Sequence, residues 1–326
     1  MTNTKTTATK KTTKKSAEQA PEKSFLAPNE SVKITLAWAQ IESAYKKAVR
    51  EFGKKVKAEG FRVGKAPAAI VEAQVGFEKI ADRVLQELLP TAYTEAIKQA
   101  KKKPITHPEF NPISLDKGKD WQLEALFSET PEVKLKDYKK TIAAAHKTAA
   151  KFIKEQNDKI AQEAKECKTD DKGHDHAHAH QPLDEGQERE VKLQHIFKAL
   201  ADESAPTIGE MLLRQETQDE FKRLQTQLEQ YQIKLDDYLK RRQITIEQLS
   251  QELAGNTLSR LQIDFILASI SQAEQLAVSD EEVQAELAKI THLETREQMS
   301  KNPSYLNQIK AHLLQKKTLD FLLESK

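Results

Sequence analysis

The sequence predicts an α+β unit at its N-terminal end, followed by a larger and wholly helical one. Residues 32–38 and 121–127 alternate apolar and polar side chains at period two, whereas most of the remainder repeats at the helical period. Charged residues make up 31% of the 326 and aromatics only 6%, which favours long solvated helices with narrow apolar faces over a dense enzyme core. Nine glycines in the whole chain argue against a large β-rich or nucleotide-binding unit.

Residues 1–28 are a Thr/Lys/Ala-rich basic tail carrying Lys5, Lys10, Lys11, Lys14 and Lys15. Almost nothing in its first 24 residues can be buried, so ordering it has no compensation and disorder is expected. It serves as a solubilising extension or makes loose contact with nucleic-acid phosphates.

Val32, Ile34, Leu36 and Trp38 predict a half-buried strand. A helix follows with Ile41, Tyr45, Ala48, Phe52 and Val56 on one face, and Lys46, Lys47, Arg50, Lys54 and Lys57 largely off it. Gly60-Phe61-Arg62-Val63-Gly64-Lys65-Ala66-Pro67 interrupts the helical pattern. Two glycines and a proline make helix costly there, so the stretch is a loop showing an aromatic ring and two cations. Pro67 suits the first turn of a helix through Ala73, which Gly76 closes. A longer helix runs from Phe77 to Lys101 and is expected to kink or break at Pro90. Strands near 105–113 and 121–127 complete an α+β domain over 29–131.

Residues 132–186 read as a linker: an extended Pro131–Leu135 segment, an Ala/Lys/Glu-rich helix from Thr141 to Cys167, then a low-complexity stretch with His174, His176, His178 and His180. Residues 187–326 read as an all-α domain. One helix ends at Ala205-Pro206, a long one spans 207–231, and a short one holds Tyr238 and Leu239. Thr245 with Gln248, and Ser279 with Glu282, are capping boxes opening two further helices. Asn302-Pro303 opens the last.

The loop and its flanks resemble the ribosome-docking signature of bacterial trigger factors, Gly-Phe-Arg-x-Gly-Lys-x-Pro, in the same order of strand, basic helix, loop and proline-opened helix. The segments 276–282 and 317–323 are similar to that family's C-terminal chaperone domain, and the resemblance covers roughly 30–135 and 187–326. Val63 stands where the family often has Lys or Pro. Most members also insert an immunophilin-type prolyl isomerase domain between the two regions. The interval here has almost no glycine, aromatic residue or β-branched alternation, so the chain reads as a member without the isomerase, and not as an enzyme.

The resemblance implies a ribosome-binding α+β domain followed by a helical chaperone domain with arms, acting as an ATP-independent holdase for nascent chains. Its partners would be the large ribosomal subunit near the tunnel exit, both protein and ribosomal RNA, unfolded polypeptides and, off the ribosome, a second copy. Phe61, Arg62, Gly64 and Lys65 would dock, with Lys46, Lys47, Arg50 and Lys54 adding phosphate contacts. Met211, Phe221, Tyr231, Leu258 and Phe265 are candidates for the client-facing surface, each of which core packing would equally explain.

Three other readings stay open. One is a prolyl isomerase like fuller family members, and another is a helical chaperone that never meets the ribosome. The third is a metal-binding protein, since His174, His176, His178 and His180 with nearby aspartates could bind Zn²⁺, Ni²⁺ or Cu²⁺ adventitiously. Alternating His-x-His in a flexible stretch lacks the fixed spacing of a structural zinc module, so no cofactor is expected. Net charge is +2, from 52 basic and 50 acidic residues, so any basic surface must come from local clustering. The lone cysteine, Cys167, has no partner for an internal disulfide, and no apolar run nears the roughly 18 residues of a membrane helix. A soluble, cytoplasmic protein is the expectation.

Overall fold

The computed structural model describes residues 25–57, 61–62, 64–166, 182–290 and 292–325. The expected disorder of the first 24 residues, Cys167, Val63 and the His174–His180 tract lie outside the described residues.

The N-terminal unit is built on a three-stranded antiparallel sheet ordered β2 (Glu30–Leu36), β4 (Trp121–Phe127), β3 (Glu109–Ser114). Ile34 faces Leu123 and Leu36 faces Trp121 across β2 and β4. Period two puts Trp121, Leu123, Ala125 and Phe127 on one buried face. Helices α1 (Trp38–Gly53), α2 (Ala68–Val75) and α3 (Phe77–Ala100) pack on it through Ile41, Tyr45, Val71, Ile80 and Val84. At roughly 25 cal/mol per Å² of apolar surface removed from water, a core of this kind is the main stabilising term of the unit.

Three expectations are corrected here. Trp38 opens α1 instead of ending the strand, its backbone N–H donating to Asp120 Oδ1 at 2.8 Å. The strand expected from Ile105 begins at Glu109; Ile105 instead donates its N–H to the Ser128 carbonyl at 2.9 Å outside the ladder. Helix α3 continues through Pro90, so of the expected kink or break the break does not occur. Proline removes only one helical N–H, and Pro90 lies on the exposed side, where water can serve the freed carbonyl.

The helical unit comprises α4 (Tyr138–Glu166), α5 (Glu185–Ser204), α6 (Glu210–Gln230), α7 (Leu235–Arg242), α8 (Ile246–Ala273), α9 (Asp280–Ala288), α10 (Leu293–Ser300) and α11 (Pro303–Glu324). Both expected capping boxes form, at Thr245 with Gln248 and Ser279 with Glu282, and Asp184 with Gln187 makes a third. Asn302 caps α11 ahead of Pro303. α10 had no counterpart in the sequence reading.

The segment read as a linker is structural over its described part. Helix α4 packs along α5, and Ile142 and Ala145 join Ile196, Leu200, Ile266, Ile270 and Leu322 in one buried cluster. Val133, Leu135 and Tyr138 pack against it. Tyr138 donates its hydroxyl to Glu274 at 2.5 Å, a carboxylate also paired with Lys139, and this pushes the phenol up to about 12.

The two units are joined by more than chain continuity. Leu26–Ala27 (β1), within the stretch read as tail, pairs in parallel with Ile208–Gly209 (β5), in a stretch read as helix. Asn29 Oδ1 accepts from the Met211 N–H at 2.8 Å. Gln215 makes two bonds to the His107 backbone, at 3.2 and 2.9 Å, and Arg214 pairs with Glu109 at 2.5 Å.

Candidate docking loop and client-facing surface

The loop sits between two fixed ends. α1 stops at Gly53, and Pro67 begins the next helix with its carbonyl accepting from the N–H groups of Ile70 and Val71. At the tip, the Lys65 N–H donates to the Arg62 carbonyl at 2.9 Å, closing a four-residue turn. Gly64 occupies its third position at φ +84°, a conformation costly for any residue with a Cβ. The second glycine of the motif is thus required by the backbone.

Phe61, Arg62 and Lys65 are all exposed. Phe61 is 42% exposed, a large apolar ring that the core does not use. Arg62 and Lys65 are exposed and have no ion pair among the described residues. An aromatic ring beside a guanidinium and an ammonium can enter an apolar crevice while the cations pair with phosphates or carboxylates.

The basic residues of α1 divide into two groups. Lys46 pairs with Glu42 at 2.6 Å, and Lys47 with Glu87 at 2.8 Å. Arg50 and Lys54 are exposed, with no ion pair among the described residues. Exposed pairs are worth little, so Lys46 and Lys47 stay available, but their charge is already partly balanced. Lys55 and Lys57, absent from the sequence-based candidates, are exposed within the loop. Residues 54–67 contain five cations and a single carboxylate, Glu59. Counting charge along the loop, instead of along the helix face, would have found them.

In the helical unit the five client candidates separate. Tyr231, at the end of α6, is 70% exposed. Phe221 is partly buried, and Leu258 and Phe265 pack against the cluster of Ile208, Leu212 and Leu261. Met211 is corrected: it is fully buried at the junction between the units, where the Thr106 hydroxyl approaches its sulfur at 3.5 Å. A thioether is flexible enough to fill such a seam, which explains why a helical methionine there reads equally well as surface or core. Ile246 at 39% and Phe152 at 39% are exposed apolar side chains that sequence periodicity did not mark. Next to Tyr231 in the chain, the turn from α6 to α7 forms an open groove of about 460 Å³ lined by Leu228, Ile233 and Leu235 among polar side chains.

Among the described residues, no group of three or more His, Cys, Asp or Glu side chains could hold a metal ion, and no helix is long and apolar enough to cross a membrane.

Comparison with known proteins agrees with this layout. The bacterial trigger factor protein family matches over residues 19–164, and its C-terminal model over 185–324. Trigger factors of Staphylococcus epidermidis and Staphylococcus aureus are each 38% identical over 106 residues, 32% of this chain. The matched stretch spans about a quarter of those relatives, 24% of their length. A solved structure of a trigger factor chaperone, studied for promiscuous substrate recognition in folding and assembly, superposes with a TM-score of 0.56 at 14% identity. It covers 94% of this chain and 99% of the other, a likeness of fold. With both family models matched in order and together covering most of the chain, the chain belongs to the trigger factor family.

Proposed function

We propose that this protein is a ribosome-associated, ATP-independent chaperone that docks through the Phe61–Lys65 turn and holds unfolded polypeptide on its helical unit. The observation that carries the reading is the turn itself: a glycine-locked tip with an exposed Phe61 ahead of Arg62 and Lys65, which have no ion pair among the described residues. A phosphate-rich surface with an apolar crevice fits that chemistry, and ribosomal RNA beside ribosomal protein at the tunnel exit offers both. Off the ribosome, the exposed ring is a natural contact for a second copy. Docking to ribosomes that make cytosolic chains would place its action in the cytoplasm.

We read the chain as holding its clients without isomerising them. The family models leave only residues 165–184 between them, and a folded domain needs at least about 50 residues. Among the described residues, α4 alone fills the interval between β4 and α5.

Two measurements test the proposal. A photo-crosslinker at Lys65 should couple to large-subunit protein or RNA; crosslinks confined to the small subunit contradict the docking site. The purified chain at stoichiometric ratio should suppress aggregation of a diluted, chemically unfolded protein without ATP. Acceleration of proline-limited refolding at catalytic amounts would overturn the non-enzymatic reading.

A further inference from the structure

The base of the docking loop is tied across the chain by one side chain. Gln74 Nε2 donates to the Lys57 carbonyl oxygen at 2.8 Å. Gln74 is exposed and lies near the end of an eight-residue helix whose other long side chains have different tasks. Val71 is 1% exposed and packs against Gly53, where a Cβ would sit 3.4 Å from its methyl group. Glu72 pairs with Lys117 at 2.5 Å, and that ammonium lies 5.3 Å from the centroid of the Tyr45 ring. Gly76, at φ +86°, ends the helix, its N–H donating to the Glu72 carbonyl.

Helix α2 is therefore fixed on its inner face to α1 and, through Lys117, to the segment leading into β4. Lys57, by contrast, lies beyond α1 in irregular backbone. The Gln74 amide is the bond that carries the rigidity of α2 to the outgoing limb of the loop. Without it, the described limb at Val56 and Lys57 keeps one tether, the Val56 N–H donating to the Phe52 carbonyl at 3.1 Å.

We propose that Gln74 is a positioning residue for ribosome docking. It carries no charge and acts through Lys57, holding the Phe61–Lys65 turn in its docking orientation so that less ordering is needed on binding. This inference rests on the docking reading above.

The test compares binding of the full chain to purified large ribosomal subunits across a salt series, with hydrogen exchange on the free protein. Gln74→Ala should weaken binding about 3- to 10-fold, the scale of one net hydrogen bond. The dependence of log affinity on log salt should be unchanged, because no phosphate contact is lost. Arg62→Ala should instead flatten that slope. Amides at Val56, Lys57, Phe61 and Arg62 should exchange faster in Gln74→Ala, while those of β4 stay as in the parent. Gln74→Glu, which sets an acceptor against an acceptor, should reproduce the loss.

Parent-like affinity in Gln74→Ala overturns the inference, as does a flattened salt slope or unchanged loop exchange. If Phe61→Ala/Arg62→Ala also binds like the parent, the docking reading has failed. If that double variant loses binding while Gln74→Ala does not, only the positioning role has failed.

Discussion

Gly209 packs against Ser128 so closely that a Cβ on the glycine would overlap the serine hydroxyl and lie 2.8 Å from its Cβ. Ser128 follows the last residue of β4, and Gly209 ends β5, so this contact is where the sheet unit meets the helical one. The close approach brings the Met211 N–H onto Asn29 and Gln215 onto the His107 backbone. Those bonds hold the sheet unit, which carries the candidate docking loop, against the helical unit.

Gly209→Ala should therefore destabilise the junction by about 1–3 kcal/mol, the cost of overpacking a filled site. Ser128→Gly alone leaves a small void, but combined with Gly209→Ala it makes room for the new methyl. The double variant should be more stable than the sum of the single losses predicts, as read from urea midpoints. Strict additivity contradicts the contact.

Gly64→Ala tests the turn without touching a contact side chain. At φ +84° the new Cβ is strained by roughly 1–2 kcal/mol. Ribosome affinity should fall about tenfold or more, while global stability changes little because the turn is exposed. An equally tight complex would show that the bound loop adopts another backbone.

Tyr138 gives the stability a predictable alkaline limb. An ordinary tyrosine ionises near 10.0, and here hydrogen bonding to Glu274 with partial burial pushes it up to about 12. Between those values the folded chain holds a proton that the unfolded chain has released, so stability falls as pH rises. Comparing urea midpoints of parent and Tyr138→Phe from neutral pH upward isolates this group. The difference between the two proteins should shrink above about pH 10, where the parent begins to lose the contribution. A constant difference up to pH 12 contradicts the Tyr138–Glu274 bond.

Chelation bears on the cofactor question. Treatment with EDTA should leave ribosome binding and aggregation suppression unchanged, since neither proposed surface uses the His174–His180 tract. A loss that Zn²⁺ or Ni²⁺ restores would give that tract a working role.

Much of the fold was legible from local signals. The alternation Trp121–Phe127, the capping boxes at Thr245 and Ser279, and the Pro67–Gly76 bounds of α2 are each written in a few adjacent residues. What stayed hidden depends on residues far apart in the chain. β1 and β5 are two residues each, too short for any periodicity, and exist because Leu26 and Ile208 lie side by side. The helix α4 has a narrow apolar face, and only its partner α5 shows that Ile142 and Ala145 are core. Pro90 misled because a proline on an exposed helix face breaks one bond, not the helix. In the site, Phe61, Arg62, Gly64 and Lys65 were legible as a motif, whereas Gln74 bonds to a backbone atom seventeen positions away and leaves no pattern.

The central claim, that Phe61 and Arg62 anchor this chain to the ribosome, is tested most directly by co-sedimentation. Parent protein and Phe61→Ala/Arg62→Ala are each spun with purified ribosomes at low salt, and the pelleted fraction is measured. The parent should pellet with the ribosomes and the double variant should remain in the supernatant while staying folded by circular dichroism. Equal pelleting of the two would contradict the account.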